Sequence, residues 1–363
     1  MTKGDHVRRA YPVLFAWLGS LTVVLGCSAV VAIALGVADI SPVQIVGSAR
    51  YHLVTFGHGL AGSSPPAGIE NPLTNIQDAI VWQGRAPRVA VAAGVGAGLA
   101  ISGAVMQALM RNPLADPYLL GISSGATLAA VSVLLLGVSV ALPVAAFGGA
   151  VLALALTLVL AGVVTDSRLT PTRTILAGIA VAQACSAITS FILFTSVQGD
   201  AYREVLSWLM GSLGGANWGS AATAWAALAT VGVVLCCNGR TLDALAFGDV
   251  SAASLGVGVT ATRWIGLGLV AVLVGAMVSV SGAIGFVGLV VPHLVRLAVS
   301  ARHLLLIPIS ALMGSVTLLW ADTLARSIID PQEIPVGIVT AAIGAPVFAA
   351  ILVRYRRDRG GAP

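Results

Sequence analysis

Long apolar runs separated by short polar stretches make up nearly the whole chain. They cover residues 13–37, 89–110, 119–136, 143–164, 174–197 and 220–237, then 259–280, 284–299, 304–325 and 335–353. Most are long enough for a helix rising 1.5 Å per residue to cross an apolar layer about 30 Å thick. The runs are continuous and rich in Ala, Leu, Val and Gly, which excludes the alternating strands of an outer-membrane barrel. The pattern predicts an all-α polytopic membrane protein of about ten transmembrane helices, forming a single domain over residues 1–363. Run 284–299 is the shortest and glycine-rich, so its limits are the least defined. Residues 39–83 are polar, contain Gly62-Ser63-Ser64-Pro65-Pro66, and read as a loop with one short surface helix.

The first run follows Lys3, Arg8 and Arg9 and contains Val24-Leu25-Gly26-Cys27, features shared with signal peptides and lipoprotein cleavage boxes. Both of those readings require a soluble mature chain, and the remaining nine runs contradict that. The first run is therefore taken as the first span.

Composition narrows the class further. Of 363 residues, 58% are hydrophobic and 9% charged, whereas soluble domains carry about 45–50% apolar and about 25% charged residues. A water-soluble globule and a disordered chain are both excluded. With ten spans and an inward N-terminus, 14 of the 19 basic residues fall on the cytoplasmic side and five outside, which predicts both termini cytoplasmic in a bacterial inner membrane. The net charge of +5 is thus a matter of topology; no basic stripe or aromatic platform points to nucleic acid.

Ser102-Gly103-Ala104 recurs as Ser281-Gly282-Ala283, and Pro113 recurs as Pro292 at the same offset of 179. The matched runs are the second and seventh, which run in opposite directions, so an inverted repeat relating helices 2–5 to 7–10 is expected, as in many transporters. Gly94-x-x-x-Gly98 gives the second span a small-residue packing face.

Candidate chemistry is sparse. Lys3 is the only lysine, so a phosphate-binding Gly-x-x-x-x-Gly-Lys loop is impossible and ATP is not hydrolysed here by that route. Gly256-Val257-Gly258 lacks the preceding strand and following acid of a dinucleotide site. The five histidines and four cysteines show no metal-ligand or disulfide spacing. Gln107 and Gln183 are the main amides within spans, and Asp322 has Arg326 at i+4, a local ion pair. No nucleophile, metal cluster or acid pair marks a membrane enzyme. No cofactor is expected, and without a string of buried acids a stand-alone ion-driven carrier is disfavoured.

The polar loops are more specific. The string Arg111-Asn112-Pro113-Leu114-Ala115-Asp116-Pro117-Tyr118-Leu119-Leu120-Gly121-Ile122-Ser123-Ser124-Gly125-Ala126 closely resembles the signature of permease subunits of the ABC importers for iron-siderophores, haem and cobalamin. The resemblance continues in Arg85-Ala86-Pro87-Arg88, in Trp208–Leu213 and in the loop from Leu242 to Gly256. It extends through Gly285-Phe286-Val287-Gly288-Leu289 with Pro292, His293 and Arg296, then Ala321–Arg326, Glu333–Gly337 and Gly344-Ala345-Pro346. The 39–83 stretch is longer than the compact pattern of the family.

The resemblance implies a paired permease, most simply a homodimer, with two ATP-binding cassette subunits inside and an extracytoplasmic substrate-binding protein outside. It implies an ATPase-coupling loop of two short helices containing Leu242, Asp243, Leu245, Phe247, Gly248, Asp249, Ala252, Leu255 and Gly256. It places binding-protein docking at Arg85, Arg88 and Arg326, and an inner gate at Leu169–Arg173, with Thr170, Pro171 and Thr172 at its centre. Proline there fixes φ and removes an amide donor. The fifth span, with Ala177, Gly178 and Gln183, is expected to line the pathway. The cargo expected first is an iron-siderophore or haem, with cobalamin the alternative.

Overall fold

The computed structural model describes residues 3–36, 38–60, 68–163, 170–196, 201–329 and 332–360, and among them only helices and turns occur. α1 spans Lys3–Ala34. The 39–83 stretch is not a loop with one short helix: it holds α2, Pro42–Leu60, and α3, Asn75–Ala79. Both start on reciprocal caps. The Gln44 amide donates to Ser41 Oγ while the Ser41 amide donates to Gln44 Oε1, and Thr74 and Gln77 repeat the arrangement. A π-helical segment, Ile80–Arg85, joins α3 to α4, Ala86–Leu109.

Next come a 3-10 turn, Pro117–Leu120, then α5, Ile122–Leu136, α6, Leu142–Val163, α7, Pro171–Ser196, and α8, Ala201–Met210. The sixth span is α9, Trp218–Ala227, joined through a π-helical Leu228–Gly232 to α10, Val233–Cys237. α11, Gly239–Ala246, and α12, Asp249–Ser254, are short. α13, Val259–Ser281, α14, Val287–Ala298, α15, His303–Ala325, and α16, Val336–Gly360, complete the chain. Each of the ten apolar runs coincides with one of these helices or joined pairs. Seven are long and apolar enough to cross a membrane, and α5, α14 and the apolar part of α16 are shorter apolar helices.

α4 is the centre of the bundle, with α9, α13, α14 and α15 packed around it. Its small residues set the distances. Gly96 and Gly314 face each other so closely that a Cβ on either would strike the other's backbone carbonyl; a Cβ on Gly103 would strike the Gly288 carbonyl of α14, and one on Gly288 the Leu99 carbonyl. Gly94 lies against Ala224 and Trp225 of α9, and Gly98 against Met277 of α13. Close backbone approach of this kind is how helices gain contact in lipid, where apolar burial gives no preference for protein. The two Ser-Gly-Ala copies adopt different local structures: residues 102–104 lie within α4, whereas α13 ends at Ser281 and Gly282 follows at φ +65°.

Candidate functional site

α4 and α15 run antiparallel and carry a polar cluster at each end, about 35 Å apart from the 23-residue rise between Arg88 and Arg111. At one end Arg88 donates from Nε to both oxygens of Asp322 (3.1 and 2.9 Å), from Nη2 to Oδ1 (2.9 Å) and from Nη1 to Glu333 Oε2 (2.7 Å). Asp322 and Arg88 are both nearly buried, so each satisfies the other where neither could stand alone. Arg326, at i+4 from Asp322, keeps only a 3.9 Å approach from its Nε. The sequence reading paired Asp322 with Arg326; the principal partner is Arg88, 234 residues away, which local spacing cannot reveal.

Arg85 and Arg326 are held differently. Arg85 Nη1 donates to the carbonyls of Ile33 (2.8 Å), Ala34 (3.2 Å) and Ala38 (3.4 Å). Arg326 donates to those of Leu35 (3.2 Å) and Ala32. Two guanidiniums thus cap the C-terminal carbonyls of α1, where the helix dipole favours positive charge. All three arginines and Glu333 line an open cavity of about 800 Å³ with Gln83, Gly214 and Ser327.

At the other end, the loop from Leu242 to Gly256 forms the two short helices α11 and α12, which the resemblance implied. Leu242, Leu245 and Ala252 are buried beneath it, while Phe247, Val250 and Leu255 are 78, 85 and 70% exposed. Gly248, at φ +104°, makes the turn between the helices, and Gly256, at φ +84°, follows the second. The carboxylates hold the loop from behind. Arg263 donates to both oxygens of Asp249 (3.0 and 2.8 Å), and Arg111 approaches it at 3.7 Å. Asp243 Oδ1 accepts from the His303 amide (2.8 Å) and lies 2.7 Å from its Nδ1. Gly239 lets α11 approach the His303–Leu304 backbone. An apolar tip on a fixed base is suited to insertion into a partner's cleft.

The turn between α4 and α5 is built from the most specific motif. Asn112 and Asp116 accept amide hydrogen bonds from Leu114 (3.0 Å) and Tyr118 (2.8 Å). The Tyr118 hydroxyl donates to the carbonyl of Ile284 (3.0 Å) and accepts from its amide (3.2 Å), satisfying the break before α14. Burial pushes the Asp116 carboxyl up to about 6, against the Tyr118 amide bond that favours its charged form.

The residues expected to form the inner gate stand at the start of α7. Pro171 takes the first helical position, the Thr174 hydroxyl donates to the Thr170 carbonyl (3.0 Å), and Thr172 is exposed; Leu169 lies outside the described residues. Gln183 is exposed on the same face as Thr172, Leu176 and Ile179. Ala177 and Gly178 are instead buried, with Gly178 against the Leu119 carbonyl and Leu120. The free face of α7 therefore runs through Thr172 and Gln183, with Ala177 and Gly178 behind it.

The sequence pattern of the FecCD transport family matches residues 21–354. The chain is 42% identical over 284 residues to the vitamin B12 import system permease protein BtuC of Vibrio parahaemolyticus serotype O3:K6 (strain RIMD 2210633), covering 76% of this chain and 83% of that protein. It is 42% identical over 283 residues to the BtuC of Escherichia coli O9:H4 (strain HS), covering 76% and 84%. A solved inward-facing ABC transporter chain, provisionally typed as metal-chelate, superposes with TM-score 0.76 at 30% identity, over 93% of this chain and 98% of that one. A chain of PsaBC from Streptococcus pneumoniae, solved with a Fab, shares the fold at TM-score 0.52 and 16% identity, over 72% and 88%.

Proposed function

The chain belongs to the FecCD transport family, and on that premise we propose that it is the permease subunit of a binding-protein-dependent ABC importer for cobalamin. The observation that carries the cargo is the 42% identity to vitamin B12 permeases over 76% of the chain. It reverses the order of the sequence reading, which set an iron-siderophore or haem first. In this reading the permease does no chemistry of its own. Two ATP-binding cassette subunits engage Phe247, Val250 and Leu255 of the α11–α12 loop and hydrolyse the nucleotide.

Two copies of the chain enclose the pathway with the free faces of α7, gated near Thr170–Thr172. The binding protein docks over the cavity of Arg85 and Arg326. Arg88, committed to Asp322 and Glu333, holds that rim together and contributes less to docking than the sequence reading gave it. The 14-to-5 distribution of basic residues supports both termini on the cytoplasmic side. Docking charge pairs of this kind add only about 0–1 kcal/mol each but set orientation and association rate.

The test is uptake into proteoliposomes holding the permease, its ATPase and its binding protein, with labelled cobalamin, ferric siderophore and haem in parallel. ATP-dependent uptake of cobalamin alone is expected. Uptake of another chelate instead would replace the cargo, and uptake without ATP would overturn the importer reading.

A further inference from the structure

α2 has its polarity turned inward. Asp78 accepts from Asn71 Nδ2 (2.7 Å) and Ser48 Oγ (3.0 Å) and lies 2.9 Å from His52 Nε2, while Trp82 Nε1 donates to Ser48 Oγ (2.9 Å). Ser48 and His52 of α2 are thus turned toward Asp78 and Trp82, with His52 still partly exposed. Its outer side carries Val43, Val46, Leu53 and Phe56, which are 81, 56, 72 and 68% exposed, with Arg50 the one charged residue among them. These positions recur every three or four residues apart from the gap that Arg50 fills, so they form one helical stripe. A helix that hides its polar groups and exposes its apolar ones is not shaped for water.

The stripe is continuous with a membrane boundary. Leu53 and Phe56 share a cavity of about 800 Å³ with His52, Trp82 and Trp218. Trp218 is the first residue of the span Trp218–Cys237, and its Nε1 donates to the Trp82 carbonyl (2.7 Å). Tyr51, His52 and Trp82 make a row of edge-on rings at 5.3 and 5.1 Å. Aromatic rings with a polar atom collect at the headgroup level of a bilayer, and an arginine on an apolar helix face extends its guanidinium toward phosphate. The acidic face of a docking protein would be drawn to the Arg85–Arg326 cavity instead, since the stripe offers a single cation.

We propose that α2 is an interfacial helix lying in the bilayer leaflet at the Arg85–Arg326 end of the molecule. Its Val43–Phe56 stripe meets the upper acyl chains, and Arg50 lies among the phosphates. Interfacial helices of this kind take their binding from buried apolar area together with attraction to anionic lipid. The inference rests on the chain crossing a membrane and is independent of the cargo.

The test uses the full chain in vesicles of phosphatidylethanolamine and phosphatidylglycerol, with Cys27, Cys185, Cys236 and Cys237 replaced by alanine. Nitroxide labels are placed singly at Leu53→Cys and Phe56→Cys, with Val23→Cys on α1 as the lipid reference and Phe247→Cys as the aqueous one. Relaxation by oxygen should exceed relaxation by a water-soluble nickel chelate at positions 53 and 56, as at 23 and opposite to 247. Dominant nickel accessibility at both positions would overturn the proposal, and its loss on adding the binding protein would reassign the stripe to that protein. The unsubstituted chain gives a second measurement: a diazirine-bearing phospholipid should label the peptide containing residues 43–56. Label on α1 and α9 with none on that peptide would also overturn it.

Discussion

α4 and α7 draw on the same small-residue vocabulary and are both long enough to cross a membrane, yet the protein uses them in opposite ways. In the most apolar stretch of the α3–α4 rod 94% of residues are buried within the chain, against 33% for α7. Glycine in α4 is there for what it admits: a neighbouring backbone at Gly96 and Gly103, and the Met277 side chain at Gly98. Small residues in α7 leave one side bare, and Gln183, Ala187 and Ser190 are exposed along it. Similar composition therefore serves as a pillar in one helix and as an uncovered face in the other, and the difference lies in the neighbours.

Gly103→Leu strikes hardest at this contrast. It drives a side chain into the Gly288 backbone, and overpacking alone costs about 1–3 kcal/mol before a main-chain clash is added. The variant should fail to give monodisperse protein in size-exclusion chromatography, whereas Ala187→Leu on the bare face of α7 should behave as the parent. Equal behaviour of the two would erase the distinction.

Arg88→Ala comes next, because it leaves the buried Asp322 carboxylate without its main partner; breaking such a pair costs about 3–5 kcal/mol. Thermal unfolding should show that loss, and the Arg88→Ala/Asp322→Ala double variant should regain most of it. A double variant as unstable as the single one would show that the pairing is not the source.

On α7, Gln183→Ala should change stability by no more than about 0.5 kcal/mol, as for other surface positions, while altering uptake. Cysteine at Thr172 should cross-link two protomers in one transport state only. A large loss of stability in Gln183→Ala would mean that this face is packed within the chain after all.

A pH dependence of stability is expected at Asp116. Its carboxyl is raised from 3.8 to about 6, so between those values the folded protein holds more proton than the unfolded chain. This contribution therefore favours folding at low pH and is lost as pH rises toward 6. Asp116→Asn should remove that slope, seen as a difference between the two proteins' unfolding temperatures measured across pH 4–7.

The ten spans were legible because an apolar run of the right length has one stable fate in lipid. Residues 39–83 were misread for a physical reason. Ser48, His52, Asn71 and Asp78 look like loop residues in order along the chain, and become the inside of a small polar hub only when folded. The two helices of the 242–256 loop followed from resemblance, but their fastenings did not: Asp249 finds Arg263 across 14 positions and Asp243 finds His303 across 60. The alternation of free and covered faces on α7 was equally hidden, since Ala177 and Gln183 differ in burial through neighbours that α7 itself does not specify.

The fastenings of α15 have a mechanical consequence. The helix is a beam bolted at both ends, to Asp243 through His303 and to Arg88 through Asp322, and pinched at its waist where Gly314 meets Gly96. Sliding it along its axis by one residue's rise, about 1.5 Å, would stretch the bonds at both bolts together, from their present 2.7–3.1 Å. α15 is therefore held in register with α4 at the Arg88 rim and with α11 at the other, so that a displacement of the α11–α12 loop bears on the α4–α15 pair.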